Sequence, residues 1–469
     1  MAGSRAKLFI ENFFIYGVGN VLTKIVPFLM LPVLTRLITD PAVFGVYDIY
    51  NIIIQFATPL AVLGSYDAMF RLFFDDSDPH FQKQVCSSSL AIVSTTSLVA
   101  IIVALTFWVS GISFFEGYSW LIPIAGLVIS SHAMKSIVAA PTRMQNKRQT
   151  IIVISLLAPM VYYLLAMILA WSGWPLEGLV LGNLFSGILV LAVYGFLNHS
   201  FFSLKSVKKE HIKGLLNIGI PLAPTFLIYW IFTSCDRFML GHFIGIEAVG
   251  LYGIGARLSS ISQGIYMAFA GGWQYFAFST MKDEDHTQLM SRVFEVLGVL
   301  SVASLFFLLP FVDWIFKIMV SEQYRGASVI FPYLYISPLL LMLYQTVGNQ
   351  FLVIKRAYLS TVMLTLGATV NVFLNWYLIP RMGIEGAAIA TFLGYAVSVV
   401  LTFMIVKKME LIFGNWRELI IFGSAGLGLL MTYIIPGRAG TVSLVFLVFV
   451  FLVYIRQIKI IARYFKSYL

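Results

Sequence analysis

Of 469 residues, 59% are hydrophobic and only 11% charged, with a mean hydropathy of +0.90. So few charges cannot cover a water-soluble protein of this length, and the apolar runs, mostly 20 to 26 residues, match what crosses about 30 Å of hydrocarbon as helix. The runs lack the short alternation of a membrane barrel, so the expected fold class is all-α: a polytopic membrane protein of about 14 transmembrane helices. The formal net charge of +10 is spread over short connecting segments, which excludes a nucleic-acid partner.

In chain order, spanning segments are expected at 12–37, 45–66, 84–109, 119–141, 150–171 and 177–198. The first follows Arg5 and Lys7 without a small-residue cleavage site, so it reads as a retained helix. A polar stretch, 199–213, then interrupts the chain, and six more segments follow at 214–240, 247–278, 288–315, 327–353, 357–380 and 384–406. Two further segments, 418–436 and 440–458, end the chain.

The two halves repeat one another. Asn146-Lys147-Arg148 returns as Ile354-Lys355-Arg356, 208 residues later, and Trp174-Pro175-Leu176-Glu177-Gly178 returns as Met382-Gly383-Ile384-Glu385-Gly386 at the same offset. Phe44-Gly45-Val46-Tyr47 matches Val249-Gly250-Leu251-Tyr252 at an offset of 205. Three matches in one order at nearly constant spacing indicate an internal duplication. The expected domains are therefore a six-helix lobe at 1–198, a cytoplasmic linker at 199–213, a second six-helix lobe at 214–409, and two additional helices with a tail at 410–469. Six spans per copy is an even number, so the repeats should be parallel, related about the membrane normal.

Lysine and arginine set the orientation, because cytoplasmic loops carry the positive excess. With the N-terminus inside, 22 of the 31 basic residues fall on the cytoplasmic side, six on the outer side and three within spans. Both termini are expected in the cytoplasm.

The three basic residues within spans are Lys24, Lys135 and Arg257. Lys24 and Arg257 lie roughly 18 and 15 Å beyond their helix starts, near mid-membrane, while Lys135 is nearer the cytoplasm. A lone cation at such depth costs roughly 2.5–3.5 kcal/mol, so it should face a cavity or pair with a carboxylate such as Asp48, Asp67 or Glu295. Asn20 stands one turn before Lys24 on the same face. Lys24, Arg257, Lys135 and Asn20 are the candidate substrate-binding residues. Candidate gate residues are Arg36 and Arg237 at equivalent outer helix ends, and Asp67 with Arg71 at the inner end of the second span. For the last two, a helix-end ion pair is the plainer account. Trp108, Trp120, Trp171, Trp174 and Trp376 read as an interfacial aromatic belt. Cys86 and Cys235 are single, the six histidines are scattered, and no Walker sequence occurs, so neither metal nor cofactor is assigned.

Two lobes of six helices, the Gly-x-Tyr after the first outer loop of each lobe, and the Gly-Ile-Glu-Gly-Ala-Ala stretch at 383–388 with its partner at 177 resemble the multidrug/oligosaccharidyl-lipid/polysaccharide superfamily. The chain is most similar to its polysaccharide transporter branch, including Wzx-type O-antigen flippases. The resemblance implies a two-lobed alternating-access transporter of a bacterial inner membrane. Its substrate would be a polyprenyl-diphosphate-linked oligosaccharide moved from the inner to the outer leaflet. Membrane lipid and a polysaccharide polymerase of the same pathway are the implied partners. A cation-coupled drug exporter of the same superfamily would be expected to carry a mid-membrane carboxylate, whereas the deepest charges here are cations. A membrane polymerase or ligase needs a sizeable outer loop, and the longest outer connection, 316–326, is short. The chain is not expected to be an enzyme.

Overall fold

Aspartate-proline pairs start two of the membrane helices. The Asp40 carboxylate accepts from the Ala42 amide at 2.8 Å, and the Asp78 carboxylate accepts from His80 and Phe81 at 3.1 and 3.4 Å. In each case proline follows at the first helical position, where its missing N–H is not needed. The computed structural model is helical throughout, with no strand among the described residues. These are 26–111, 115, 117–145, 147–281, 283–413 and 439–466, with Gly423, Gly426 and Leu429.

The helices are α1 (Val26–Leu37), α2 (Pro41–Val62), α3 (Ser65–Phe73), α4 (Pro79–Val109), α5 (Leu121–Met144), α6 (Arg148–Trp171), α7 (Pro175–Leu197), α8 (Lys209–Gly219), α9 (Ala223–Phe243), α10 (Ile246–Ser259), α11 (Ile261–Ser279), α12 (His286–Leu308), α13 (Val312–Met319), α14 (Phe331–Val353), α15 (Ala357–Lys408) and α16 (Ala439–Lys466). Eight helical segments among the described residues are long and apolar enough to cross a membrane, and one of them, Tyr358–Lys408, holds two of the expected spans. Inside it, Gly383 takes φ +58, which folds α15 back into two arms. Gly173 does the same service before α7 at φ +90. The repeated Lys147-Arg148 and Lys355-Arg356 pairs both sit in tight turns where one membrane helix hands over to the next, before α6 and before α15.

Several expected spans are broken. The segment predicted at 214–240 contains α8, a 3-10 turn at Ile220–Leu222 and α9, because Pro221 cannot donate the amide that a continuous helix requires. The segment predicted at 247–278 is two helices separated at Ser260, whose hydroxyl donates to the Arg257 carbonyl at 2.7 Å in competition with the helix ladder. The second predicted span stops at Val62, and Leu63 and Gly64, both at positive φ, start a separate short helix, α3.

The described residues form two compact units, 22–254 and 255–469, divided within α10. In the first, α5 packs between α2, α4 and α7, and α6 lies against α7. In the second, α14 packs against α11, α12 and the arms of α15, while α16 lies on α12 through a Phe306–Phe446 ring stack with centroids 4.1 Å apart. Trp108, Trp171, Trp174 and Trp376 are 47%, 84%, 60% and 59% exposed at or near helix ends, as an aromatic belt requires.

The polar stretch after α7 is strapped to the first unit. The Ser87 hydroxyl accepts from the Ser203 amide at 3.0 Å, and the Ser88 hydroxyl accepts from Lys208 at 3.1 Å. His211 bonds to Gln84 at 3.1 Å and meets the Phe81 ring edge-on. A side chain at either Gly64 or Gly219 would overlap the backbone of the other, so α3 and α8 touch directly.

Candidate functional site

The densest polar group within the spans of the first unit lies on α5. This helix is the most enclosed of the candidate spans, yet it carries His132, Lys135 and Ser136 in its middle and Arg143 at its end. Polar side chains on an otherwise enclosed helix are placed where neighbouring helices or water can receive them. His132 lies at the α5–α7 seam, beside Gly187, which is one turn from Asn183 of α7. The Asn183 amide donates to the Asn51 side-chain oxygen of α2 at 3.1 Å, and Asn51 donates to the Tyr47 carbonyl one turn earlier at 3.0 Å. Three helices thus contribute polar side chains to one region. Gly187 makes the approach feasible: a Cβ there would stand 2.9 Å from the Ser131 hydroxyl and 3.2 Å from the His132 ring.

Lys135 follows His132 by one turn and is half-buried. Its ammonium makes no hydrogen bond or ion pair among the described residues. Toward the end of α5, the Arg143 guanidinium donates to the Tyr66 hydroxyl at 3.1 Å and lies 5.9 Å from that ring's centre. Just before it, the α7 cap Asn198 donates to the Val138 carbonyl and to Thr142, each at 2.8 Å, clasping α5 to α7. Interhelical polar bonds of this kind are worth about 0.6 kcal/mol on average, up to roughly 1.7. An unpaired lysine at roughly 2.5–3.5 kcal/mol exceeds that, so helix adhesion does not account for Lys135.

Residues 33–329, more than half the chain, match the family model described as "Polysaccharide biosynthesis protein". The chain belongs to that family. Among curated members of known name, similarity extends to the "Probable low-salt glycan biosynthesis flippase Agl15" of Haloferax volcanii, 24% identical over 237 residues, half of each chain. The membrane protein MJ1068 of Methanocaldococcus jannaschii is 24% identical over 257 residues, 51% of this chain and 50% of its own. These matches span about half the length of each relative. The fold is that of the lipid II flippase MurJ in an inward closed conformation, with a TM-score of 0.69, 14% identity, and 97% of this chain and 99% of that one covered. An inward-facing multidrug resistance MATE transporter follows at 0.61, again at 14% identity, over 86% of this chain and 98% of the other. These solved transporters share the fold of this chain at 14% identity.

Within the family member, the residues singled out in the sequence are dispersed. Lys24 and Asn20 lie outside the described residues. Lys135 is in the first unit; Arg257, half-buried near the end of α10, is in the second. Of the carboxylates offered as structural partners for these cations, Glu295 accepts from the Tyr454 hydroxyl at 2.7 Å, Asp67 is exposed in the first turn of α3, and Asp48 is buried in α2. Lys135 is paired with none of them. Arg71 does form a helix-end ion pair, but with Asp75 rather than Asp67, because the turn after α3 carries Asp75 back to the guanidinium. Arg36 donates to its own helix at the Pro32 carbonyl, 2.7 Å, and Asp40 serves as the α2 cap. Arg237 stands 4.0 Å from buried Asp236 and 5.5 Å from the Tyr252 ring centre. Sequence reasoning missed His132, Asn51 and Asn183. The spacing of His132 and Lys135 on one helix was the available signal; the other two become relevant only when three helices converge.

Proposed function

We propose that the protein moves a polyprenyl-diphosphate-linked oligosaccharide, an O-antigen or similar polysaccharide repeat unit, from the inner to the outer leaflet by alternating access. The observation that carries this reading is the cation Lys135, unpaired among the described residues, on the most enclosed helix of a chain belonging to a polysaccharide biosynthesis family. A diphosphate crossing hydrocarbon meets the same low-dielectric barrier as the lysine, and a fixed cation lowers that barrier where it is high. Lys135, Lys24 and Arg257 supply the positive field, and Asn20, Asn51, Asn183 and His132 offer hydrogen bonds to sugar hydroxyls. The polyprenyl tail remains in lipid. The roles named for Agl15 and MurJ, glycan biosynthesis flippase and lipid II flippase, support this reading.

In this proposal, 1–198 and 214–409 are the two lobes, 199–213 is a cytoplasmic linker and 410–469 is peripheral. The protein sits in a bacterial inner membrane with both termini cytoplasmic, and a polysaccharide polymerase consumes its product. The test is transport of a fluorescent polyprenyl-diphosphate disaccharide in proteoliposomes, read by external quenching. Lys135→Arg should keep most of the rate and Lys135→Ala should lose about tenfold or more, equivalent to about 1.4 kcal/mol, with the protein still inserted. Equal rates for both variants and the parent would overturn the role of Lys135.

A further inference from the structure

The duplicated Gly-x-Tyr motifs meet each other. A Cβ on Gly45 of α2 would overlap the Ile246 carbonyl oxygen at the start of α10, and a Cβ on Gly250 of α10 would overlap the Pro41 carbonyl oxygen at the start of α2. The same added carbon at Gly250 would stand 3.0 Å from the Gly45 nitrogen. Gly45 and Gly250 are equivalent in the repeat, as are Pro41 and Ile246, all at the offset of 205. The contact is therefore self-complementary: each copy presents a glycine to the helix start of the other, as in an isologous interface. Side-chain packing contributes little where backbones touch so closely. What holds them is dispersion and weak Cα–H···O contact, at about 0.5–1 kcal/mol each, so the crossing can part without breaking a core.

The corner beside this crossing is not symmetric. In the second copy, the Tyr252 hydroxyl donates to buried Asp236 of α9 at 2.5 Å, with Arg237 closing over both. In the first copy, the equivalent Thr35 and Arg36 donate to the Leu31 and Pro32 carbonyls of their own helix. One arm of the crossing is latched to its neighbouring helix through a carboxylate, and the corresponding acid is absent from the other.

We propose that the α2–α10 glycine crossing is the outer gate of the transporter and that the Asp236–Tyr252 latch, present in one copy only, holds it shut. This rests on the transport reading for its purpose and on the cytoplasmic termini for its side of the membrane. Two measurements in proteoliposomes test it, both in a Cys86→Ala, Cys235→Ala background. In the first, Asn51→Cys, deeper on α2, reports access of an impermeant maleimide added from the outer face. Tyr252→Phe and Gly250→Ala should each raise its labelling about fivefold or more as the closed population falls. Tyr252→Phe keeps the shape of the site, so it answers even where Gly250→Ala fails to fold. In the second, a short reversible thiol crosslinker joins Pro41→Cys to Ile246→Cys. Transport of the fluorescent polyprenyl-diphosphate disaccharide should then fall about tenfold and return on reduction. Unchanged labelling in Tyr252→Phe, or transport within about twofold while crosslinked, would overturn the gate. Raised labelling in Tyr252→Phe, with a Cys86→Ala, Cys235→Ala parent retaining Asn51 that never moves the probe, would uphold the gate and sink the flippase reading instead.

Discussion

Helices α5 and α6 are consecutive in the chain, each of 24 residues, and end up in opposite environments. In their most apolar windows, 61% of α5 residues are buried inside the protein and only 11% of α6 residues. The apolar side chains of α6, such as Val153, Met160, Leu164 and Ile168, are at least half exposed and meet lipid. The enclosed helix is the polar one, with serines, His132 and Lys135, and the exposed helix is nearly pure hydrocarbon beyond its first turns. Inside out relative to a soluble protein, a membrane transporter puts its polar side chains where other helices or water can receive them. The contrast teaches that burial here gathers the polar side chains of the spans as well as the core.

The contrast can be broken most severely by reversing it. Leu164→Lys places a cation on the lipid-facing side of α6, where neither cleft nor partner awaits it. It should cost roughly 2.5–3.5 kcal/mol of insertion free energy, read as lost insertion of α6 in a glycosylation-mapping assay, whereas Lys135→Leu should insert at least as well as the parent. Equal insertion of Leu164→Lys and the parent would erase the distinction between the two helices.

A smaller effect is expected at the α5–α7 seam. Gly187→Ala drives a methyl against Ser131 and His132, and should lower stability by about 1–3 kcal/mol in thermal unfolding in detergent. Gly195→Ala, on the same helix with open space around it, should leave the melting temperature unchanged or slightly raised. The smallest effect belongs to Asn198→Ala, which releases the clasp on Val138 and Thr142. A loss of about 1 kcal/mol is expected, the net worth of a typical intramolecular hydrogen bond. A loss of several kcal/mol would mean that the clasp, not the apolar seam, holds α5 to α7.

Much of this was legible in the chain. Apolar length located α4 to α7 and both arms of α15 to within a few residues, since hydrocarbon thickness admits little choice. Lys135 stood out because a charge in such an apolar run calls for a partner or a polar surrounding. The break at Ser260 was not, since a serine hydroxyl competes with the ladder only in some contexts and leaves no mark in hydropathy. The Asn51–Asn183 bond and the nearby His132 were hidden for a different reason: Asn51 and Asn183 are 132 residues apart, and nothing local connects them. The partner of Arg71 was misjudged because spacing along a helix could not show how the following turn would bend back.

The strapping of α8 and α9 to the first unit bears on how the protein is made. Gly219 of α8 covers the backbone at Gly64, and the Trp230 indole donates to the Ile52 carbonyl of α2 at 3.1 Å. A ribosome that has just finished α7 has therefore released seven helices whose inner corner is still open. Synthesis adds roughly 5–20 residues per second, so this unfinished intermediate persists for seconds until α8, α9 and the start of α10 arrive. During that interval the nascent chain exposes a bare glycine turn, and the Ile52 carbonyl lacks its indole partner. Chaperoning by the insertion machinery is most needed there, between the emergence of Leu197 and that of Ile254.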